Sequence, residues 1–166
     1  MEIRRAKPAD IPDLIDLLKQ VGMVHRLGRP DLFRADPQKY GEEELLELLA
    51  DPMRPIFVAD TGNRVAGYAF CIFKTVGEHP VLADVTSLYI DDLCVDETCR
   101  GQGIGTALYR HVCAFAREQG CHNVTLNVWA FNESAIRFYE KCGMKPQKIG
   151  METILGGSYA GKERNL

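Results

Sequence analysis

Apolar residues recur at helical spacing in four stretches of the chain. The clearest stretch is Ile104 to Gln119, and Gly120 follows it, as is typical just past the end of a helix. Its apolar face is formed by Ile104, Leu108, Val112 and Phe115. The same spacing predicts helices over Asp10 to Val21, with Gly22 as the stop, over Glu42 to Ala50 and over Glu133 to Cys142.

Alternating and β-branched residues predict six strands around these helices. The predicted strands are Glu2 to Ala6, Ile56 to Asp60, Arg64 to Phe73, Val85 to Val95, Asn123 to Trp129 and Met144 to Leu155. The stretch from His25 to Pro37 is rich in Arg, Gly and Pro, and we expect a loop or a broken helix there. The order of elements indicates an α/β protein with a mixed sheet, antiparallel at first and with helical crossovers later.

Composition narrows the classes of function without selecting one. The chain has 166 residues, enough for one domain with a core, and its net charge of -3 argues against nucleic acid as the main partner. The 6 cysteines form no C-x-x-C pair and the 4 histidines form no H-E-x-x-H, so we expect reduced thiols and no metal site. We see no signal peptide and no apolar run that spans a membrane, and we therefore expect a cytoplasmic protein.

The segment from Arg100 to Gly105 carries the strongest chemical signal. It reads Arg100, Gly101, Gln102, Gly103, Ile104 and Gly105, and it joins the long predicted strand Val85 to Val95 to a strongly amphipathic helix. Because glycine has no Cβ, main-chain N–H groups can approach a phosphate closely, and the first turn of a helix adds N–H groups without partners. A tight turn that simply needs glycine is the alternative. Three glycines after an arginine favour a site for a diphosphate.

Two common phosphate-binding motifs do not fit this segment. A Walker loop needs Lys and then Ser or Thr where Thr106 and Ala107 stand, and a dinucleotide fingerprint needs Gly or Ala in place of Thr106. The sequence instead resembles the GCN5-related N-acetyltransferase (GNAT) superfamily, whose motif Arg/Gln-x-x-Gly-x-Gly/Ala matches Arg100 to Gly105. The flanking segments Leu88 to Val95 and Asn132 to Met144 resemble that family's fourth strand and second motif.

The resemblance implies one acyl-CoA N-acyltransferase domain over residues 1–155 and a flexible tail over 156–166. Its mixed central sheet is expected to splay between strands 4 and 5, with helices on both faces. In this family a strand bulge, here near Leu93 to Val95, opens the gap that receives the pantetheine arm, and a main-chain N–H polarises the thioester carbonyl. The implied cofactor-binding residues are Leu93, Cys94, Val95, Arg100, Gly101, Gln102, Gly103, Ile104, Gly105 and Asn132.

The implied reaction moves acetyl from acetyl-CoA, a cosubstrate, to a primary amine on a small molecule or a peptide N-terminus. The amine attacks directly in a ternary complex, so no protein nucleophile is needed. The acceptor is expected to contact the segment His25 to Tyr40, whose arginines can meet an acidic group. A homodimer formed through Met144 to Leu155 is also expected. A non-catalytic acyl-CoA-binding or sensing module is the main alternative function, and a nucleotide-binding domain is another.

Two residues of the second motif match functional positions of the family. Tyr139 matches the tyrosine that protonates the departing thiolate, a step that suits a phenol because its pKa of about 10 is near that of a thiol. The alternative for Tyr139 is a core aromatic residue, although the adjacent Phe138 already supplies one. Asn132 matches an asparagine near the cofactor arm, and a helix N-cap explains it equally well.

A base is also needed, because an alkyl ammonium must lose a proton before it attacks. Asp91 and Asp92 lie within a predicted strand, where carboxylates are otherwise disfavoured. Asp91 aligns with the proposed base of polyamine-acetylating members of the family. Asp92, a chain of water molecules, or a merely polar pair at the sheet edge are the alternatives.

Overall fold

The computed structural model describes residues 1–36, 38–77 and 79–155, and the predicted tail at 156–166 lies outside them. The strands within these residues are β1 (Glu2–Arg5), β2 (Ile56–Asp60), β3 (Val65–Thr75), β4 (Thr86–Val95) and β5 (Asn123–Leu126). The helices are α1 (Ile11–Gly28), α2 (Glu42–Ala50), α3 (Ile104–Glu118) and α4 (Glu133–Lys141). Strands and helices therefore alternate as the apolar pattern predicted, which confirms the α/β class.

The five strands form one sheet in the order β1-β2-β3-β4-β5. Neighbours from β1 to β4 pair antiparallel, whereas β4 and β5 pair parallel. Parallel neighbours need a long crossover, and α3 supplies it between β4 and β5. The predicted mixed sheet, antiparallel early and with a helical crossover later, is confirmed.

Helices cover both faces of this sheet, as predicted. On one face, α1 and α2 bury Leu14, Leu18 and Leu45 against Tyr68 and Phe70 of β3. On the other face, the apolar side of α3 packs against β3 and β4 through Ile104, Leu108, Val112 and Ala116. Full burial of a leucine or valine side chain contributes about 1.5–3 kcal/mol relative to exposure. The two layers hold β4 and the loop that follows it in a fixed position.

The predicted strand over Met144 to Leu155 is wrong, because these residues form neither a strand nor a helix. Alternating apolar residues make a strand only when a sheet edge accepts their main-chain hydrogen bonds. Here Ile149, Met151 and Leu155 are exposed, and the segment is linked to the rest of the protein by an ion pair between Glu152 and Arg29. β5 is also shorter than predicted and ends at Leu126.

The first helix is longer than predicted. Gly22 was the expected stop, but α1 continues to Gly28, so the start of the predicted loop, from His25, is helical. A glycine inside a helix costs about 1 kcal/mol relative to alanine, and burial of the apolar face of α1 outweighs that cost. Gly28 itself lies against the ring of Phe131, where an added Cβ would be only 2.1 Å from a ring carbon.

Candidate functional site

The segment Arg100–Gly105, called the phosphate loop below, joins β4 to α3. Gly101 and Gly103 have φ angles of 77° and 81°, in the left-handed region that favours glycine. An added Cβ at either residue would meet nothing within 4 Å, so the backbone conformation, and not crowding, requires glycine. Gly105 differs, because its added Cβ would lie 3.3 Å from the ring of Phe138. The third glycine therefore lets α4 pack closely against α3.

The phosphate loop presents main-chain donors to solvent at the start of a helix. Gly101, Gln102 and Gly103 are exposed, and in the part of the chain that the structure describes their N–H groups donate no hydrogen bond. The first N–H groups of α3 also lack partners within the helix and carry its positive dipole end. Arg100 donates its Nε to the carbonyl of Val95 over 3.2 Å. This arrangement fits a diphosphate.

β4 and β5 part after Ile90, before the phosphate loop begins. β5 pairs with Ser87 to Ile90 and ends at Leu126, opposite Ile90. β4 continues to Val95 and stays paired with β3 on its other side. The main-chain groups of Leu93–Val95 that point away from β3 therefore line a gap, and an extended chain can bind there as an added strand. The predicted opening between strands 4 and 5 is present.

A bulge in β4 lies at Asp91 and not at Leu93–Val95, where it was predicted. Phe70 of β3 is opposite Asp92 and the next residue, Cys71, is opposite Ile90, so Asp91 has no partner on β3. One extra residue in a strand reverses the faces to which later side chains point.

The reversal changes the environment of the acidic pair, Asp91 and Asp92. Ile90 packs on the α3 face, whereas Cys94 belongs to the cluster formed by α1 and α2. In a regular strand Ile90 and Cys94 would share one face, because side chains alternate in direction. Asp92 consequently contacts Tyr68 on the α1 and α2 side of the sheet.

Asp91 holds an ammonium group. Its Oδ2 atom accepts a hydrogen bond from Nζ of Lys39 over 2.7 Å, and both side chains are partly exposed. The same Lys39 ammonium lies 5.4 Å from the centre of the Tyr40 ring. The acidic pair raises the pKa of Lys39, although burial acts in the opposite direction.

Asp92 has a different environment from Asp91. Burial raises the pKa of the Asp92 carboxyl to about 6, and the negative charge of Asp91 adds to that effect. Lys39 and the Tyr68 hydroxyl lower it, but burial is the larger influence. The Tyr68 hydroxyl donates to Oδ2 of Asp92 over 3.1 Å. A carboxyl with this pKa changes its ionisation close to neutral pH.

Tyr139 lies on α4, half-buried next to Phe138, with ring centres 5.0 Å apart. Burial raises the pKa of its hydroxyl, and the charge of Asp92 raises it further. The hydroxyl is therefore protonated at neutral pH and available as a donor. Phe138 fills the space beside Gly105, so Phe138 supplies a contact between α3 and α4.

Asn132 caps α4, as one of its two interpretations predicted. Its Oδ1 atom accepts hydrogen bonds from the N–H of Ala135 over 3.2 Å and from the hydroxyl of Ser134 over 3.0 Å. It also lines a surface cavity of about 530 Å³ between the end of α1 and the start of α4. The cavity is lined by Val24, Leu27, Gly28, Phe131, Asn132, Glu133 and Ser134.

The segment predicted to contact the acceptor is held by its own arginines. Arg29 is buried and forms ion pairs with Asp31, over 2.7 Å, and with Glu152. Arg26 donates to the carbonyls of Pro30, over 2.6 Å, and of Phe33. These two arginines therefore hold the chain between α1 and α2, whereas the sequence had suggested either contact with an acidic acceptor or a solvated loop face.

Sequence reasoning missed two residues of this site. Tyr68 lies in a strand of mostly apolar residues, and no local pattern shows that it contacts Asp92. Lys39 lies within the predicted acceptor segment, where its positive charge was a signal that the arginines obscured. Neither contact follows from sequence spacing, because each joins segments that only the sheet brings together.

Other groups in the described residues add little to this site. All six cysteines are free thiols. Among the described residues, no group of three or more His, Cys, Asp and Glu side chains could hold a metal ion. None of the helices in the described part of the chain is both long enough and apolar enough to cross a membrane.

Known proteins resemble this chain over most of its length. The thialysine N-epsilon-acetyltransferase of Mus musculus is 27% identical over 148 residues, which cover 85% of this chain and 82% of that protein. The glucosamine 6-phosphate N-acetyltransferase of Trypanosoma brucei brucei is 39% identical over 67 residues, which cover 40% of this chain and 44% of that protein.

A solved structure and a family model agree with these relatives. A tetramutant of the BH1408 protein from Bacillus halodurans superposes with a TM-score of 0.88 at 30% identity, covering 93% of this chain and 100% of that one. The model of the acetyltransferase (GNAT) family matches residues 22–144, a range that includes the acidic pair, the phosphate loop and Tyr139. The chain therefore belongs to the acetyltransferase (GNAT) family.

Proposed function

We propose that the protein transfers an acetyl group from acetyl-CoA to a primary alkyl amine that is positively charged in solution. One observation carries this proposal: the gap between β4 and β5 opens between the acidic pair and the phosphate loop. A group that binds diphosphate at one end of that gap therefore extends toward carboxylates that bind an ammonium. The named relatives, which act on thialysine and on glucosamine 6-phosphate, support N-acetyl transfer in general.

The phosphate loop fits the diphosphate of coenzyme A. The N–H groups of Gly101 to Gly103 and of the first turn of α3 would hold it, with Arg100 beside them. The main-chain groups of Leu93–Val95 that face the gap would bind the pantetheine arm, and we propose that the Asn132 side chain at the start of α4 also contacts it. When bound, acetyl-CoA supplies an acetyl thioester, which an amine can attack directly.

The contact of Lys39 with Asp91 supports a charged acceptor. Asp91 binds an alkyl ammonium in this structure, and the ring of Tyr40 adds a cation–π contact. An acceptor with an ammonium group would displace Lys39 from Asp91. The resemblance to a thialysine N-epsilon-acetyltransferase supports the same class, an amine at the end of an alkyl chain.

Two side chains would move protons in this reaction. The acidic pair would accept the proton of the acceptor ammonium, and Asp91 remains the residue that the family resemblance predicts for this role. Tyr139 would donate a proton to the departing thiolate, because its raised pKa keeps the hydroxyl protonated.

A panel of amines incubated with acetyl-CoA tests the proposal, with thiol release as the measurement. The panel contains polyamines, lysine and its analogues, amino sugars, aminoglycosides and peptide N-termini. We expect turnover with polyamines and lysine analogues, whose ammonium group lies at the end of an alkyl chain, and little with amino sugars, whose amine is attached directly to the ring. Binding of acetyl-CoA without turnover of any amine would favour the non-catalytic acyl-CoA-binding module instead.

The predicted homodimer stays a prediction. The exposed apolar side chains of Ile149, Met151 and Leu155 form the kind of surface that a second copy would cover. Light scattering of the purified protein measures its mass directly. A monomer at micromolar concentration would contradict the prediction.

A further inference from the structure

Tyr68 and Asp92 form a pair that neither the family motif nor the predicted base includes. Tyr68 is fully buried in β3, with its ring packed edge-on against Phe70 at 4.9 Å. Its hydroxyl donates to Asp92 over 3.1 Å. A buried tyrosine hydroxyl needs a partner, and a carboxylate is a stronger acceptor than a neutral group. The pair therefore places the Asp92 carboxylate in one defined position.

The bulge at Asp91 makes this pair possible. Without the extra residue, Asp92 would point to the same face as Leu88 and Ile90, toward α3. With it, Asp92 points to the face of Tyr68 while remaining in the part of β4 that has no neighbour in β5. The main chain of Asp92 thus lies beside the gap, while its side chain is held by a tyrosine of the core.

We propose that Asp92 takes the proton of the acceptor ammonium, and that Tyr68 is the positioning residue that holds the Asp92 carboxylate for this step. The inference rests on the proposed function and assigns the base within it. In the step, an N–H bond of the ammonium breaks and an O–H bond forms on Asp92, leaving a neutral amine and a carboxylic acid. The proton then passes from Asp92 to solvent when the product leaves. Asp91 binds the ammonium, as it now binds Lys39.

Several charged or titratable groups act on Asp92 besides Tyr68. They are Lys39 and Tyr40 from the segment before α2, Tyr89, Asp91 and Cys94 of β4, and Tyr139 of α4. Of these, Lys39 stabilises the charged carboxylate and Asp91 destabilises it. An acceptor that displaces Lys39 brings its own ammonium to the same place, so the balance of charge around Asp92 is preserved.

The Tyr68→Phe variant tests the pair, because it removes the hydroxyl and keeps the ring in the core. The hydroxyl favours the charged form of Asp92, so its loss should raise the pKa of this carboxyl by about one pH unit. Carbon-13 NMR of Asp92 in the free enzyme should therefore show a midpoint near pH 6, moved upward in Tyr68→Phe. The acid side of the pH profile of kcat/KM should move in the same direction.

Matched variants separate this role from a structural one. Tyr109→Phe removes the hydroxyl of a half-buried tyrosine in α3, on the opposite face, and should leave both midpoints unchanged. Asp92→Asn should abolish the acid side of the profile, whereas Asp91→Asn should keep it. If Tyr68→Phe leaves the Asp92 midpoint unchanged, or if Asp91→Asn alone removes the acid side, the inference is wrong. If the wild type acetylates no amine at all, the proposed function fails instead.

Discussion

The gap between β4 and β5 has the phosphate loop at one end and the acidic pair at the other. The first end is built from main-chain groups and the second from side chains. The phosphate loop presents main-chain N–H groups, and Gly101 and Gly103 are there because of their backbone angles. The opposite end presents the side chains of the acidic pair, which are held by Lys39 and Tyr68. The acidic pair lies on β4 and the phosphate loop follows that strand, with residues 93–99 between them.

Because of this difference, we expect the phosphate loop to determine how strongly the cofactor binds and the acidic pair to determine which amine reacts. Main-chain donors do not ionise, so the affinity of the phosphate loop for a diphosphate should vary little with pH. It should also be the same for any acyl-CoA. Carboxylates ionise and attract cations, so the acidic end should decide which amine reacts and at which pH. Variants at the two ends should therefore fail in different ways.

The largest effect is expected from Gly103→Val. A β-branched residue at a φ of 81° is strained, and its side chain would cover the N–H groups that we propose to hold the diphosphate. Loss of two hydrogen bonds to a charged group predicts at least about 100-fold weaker binding of coenzyme A, measured by calorimetry. Gly62→Val is the matched control, because Gly62 has a φ of 91° in the turn between β2 and β3. Equal losses of binding in both variants would contradict the assignment of the loop.

Tyr139→Phe should come next. Removal of a general acid lowers turnover by about 10² to 10⁴-fold, while the ring remains beside Phe138. The affinity for coenzyme A should stay within about twofold of the wild type, since the phosphate loop is intact. A stopped-flow measurement of thiol release gives the rate. Unchanged turnover at neutral pH would show that the thiolate leaves without this proton.

Asp91→Asn should have a smaller effect, confined to the acceptor. The side chain of Asp91 is partly exposed, so its attraction for an ammonium is worth about 1 kcal/mol, and KM for a charged amine should rise about fivefold. The effect should fade at high salt, because ions screen the pair. An unchanged KM at low salt would show that the acceptor binds elsewhere.

Lys39→Met should give the smallest effect, in the opposite direction. Lys39 occupies Asp91 in the free protein, so its removal should lower KM for a charged amine by about two- to threefold. Lys19→Met, at an exposed position on α1, controls for the loss of one positive charge. A raised KM in Lys39→Met would show that the lysine arranges the acceptor site and does not compete for it.

The fold was largely predictable because its signals are local. The apolar face of α3 and the glycines before it lie within short stretches of sequence, and the structure places them as predicted. Two predictions about secondary structure failed because tertiary contacts overrode a local pattern. Gly22 did not end α1, since packing outweighed propensity, and Met144 to Leu155 formed no strand, since alternation cannot supply a partner edge.

The site was predicted in part for the same reason. Gly101 and Gly103 were found because a backbone requirement appears directly as a residue type. An N-cap was one of the two predicted roles of Asn132, and the structure shows the hydrogen bond from the Ala135 N–H that makes this cap. The contacts of Lys39 with Asp91 and of Tyr68 with Asp92 were not predicted, because each joins residues that are distant in sequence.

By itself, the sequence determined the α/β order, the glycine-rich turn before α3 and the family, because glycine spacing and apolar periodicity are properties of neighbouring residues. The tertiary structure alone decided the surroundings of the two aspartates. Alternation along β4 assigns Asp92 to the face of Ile90, but the pairing of β3 with β4 leaves Asp91 as an extra residue. That single residue turns Asp92 toward Tyr68, since each step along a strand reverses the direction of the side chain.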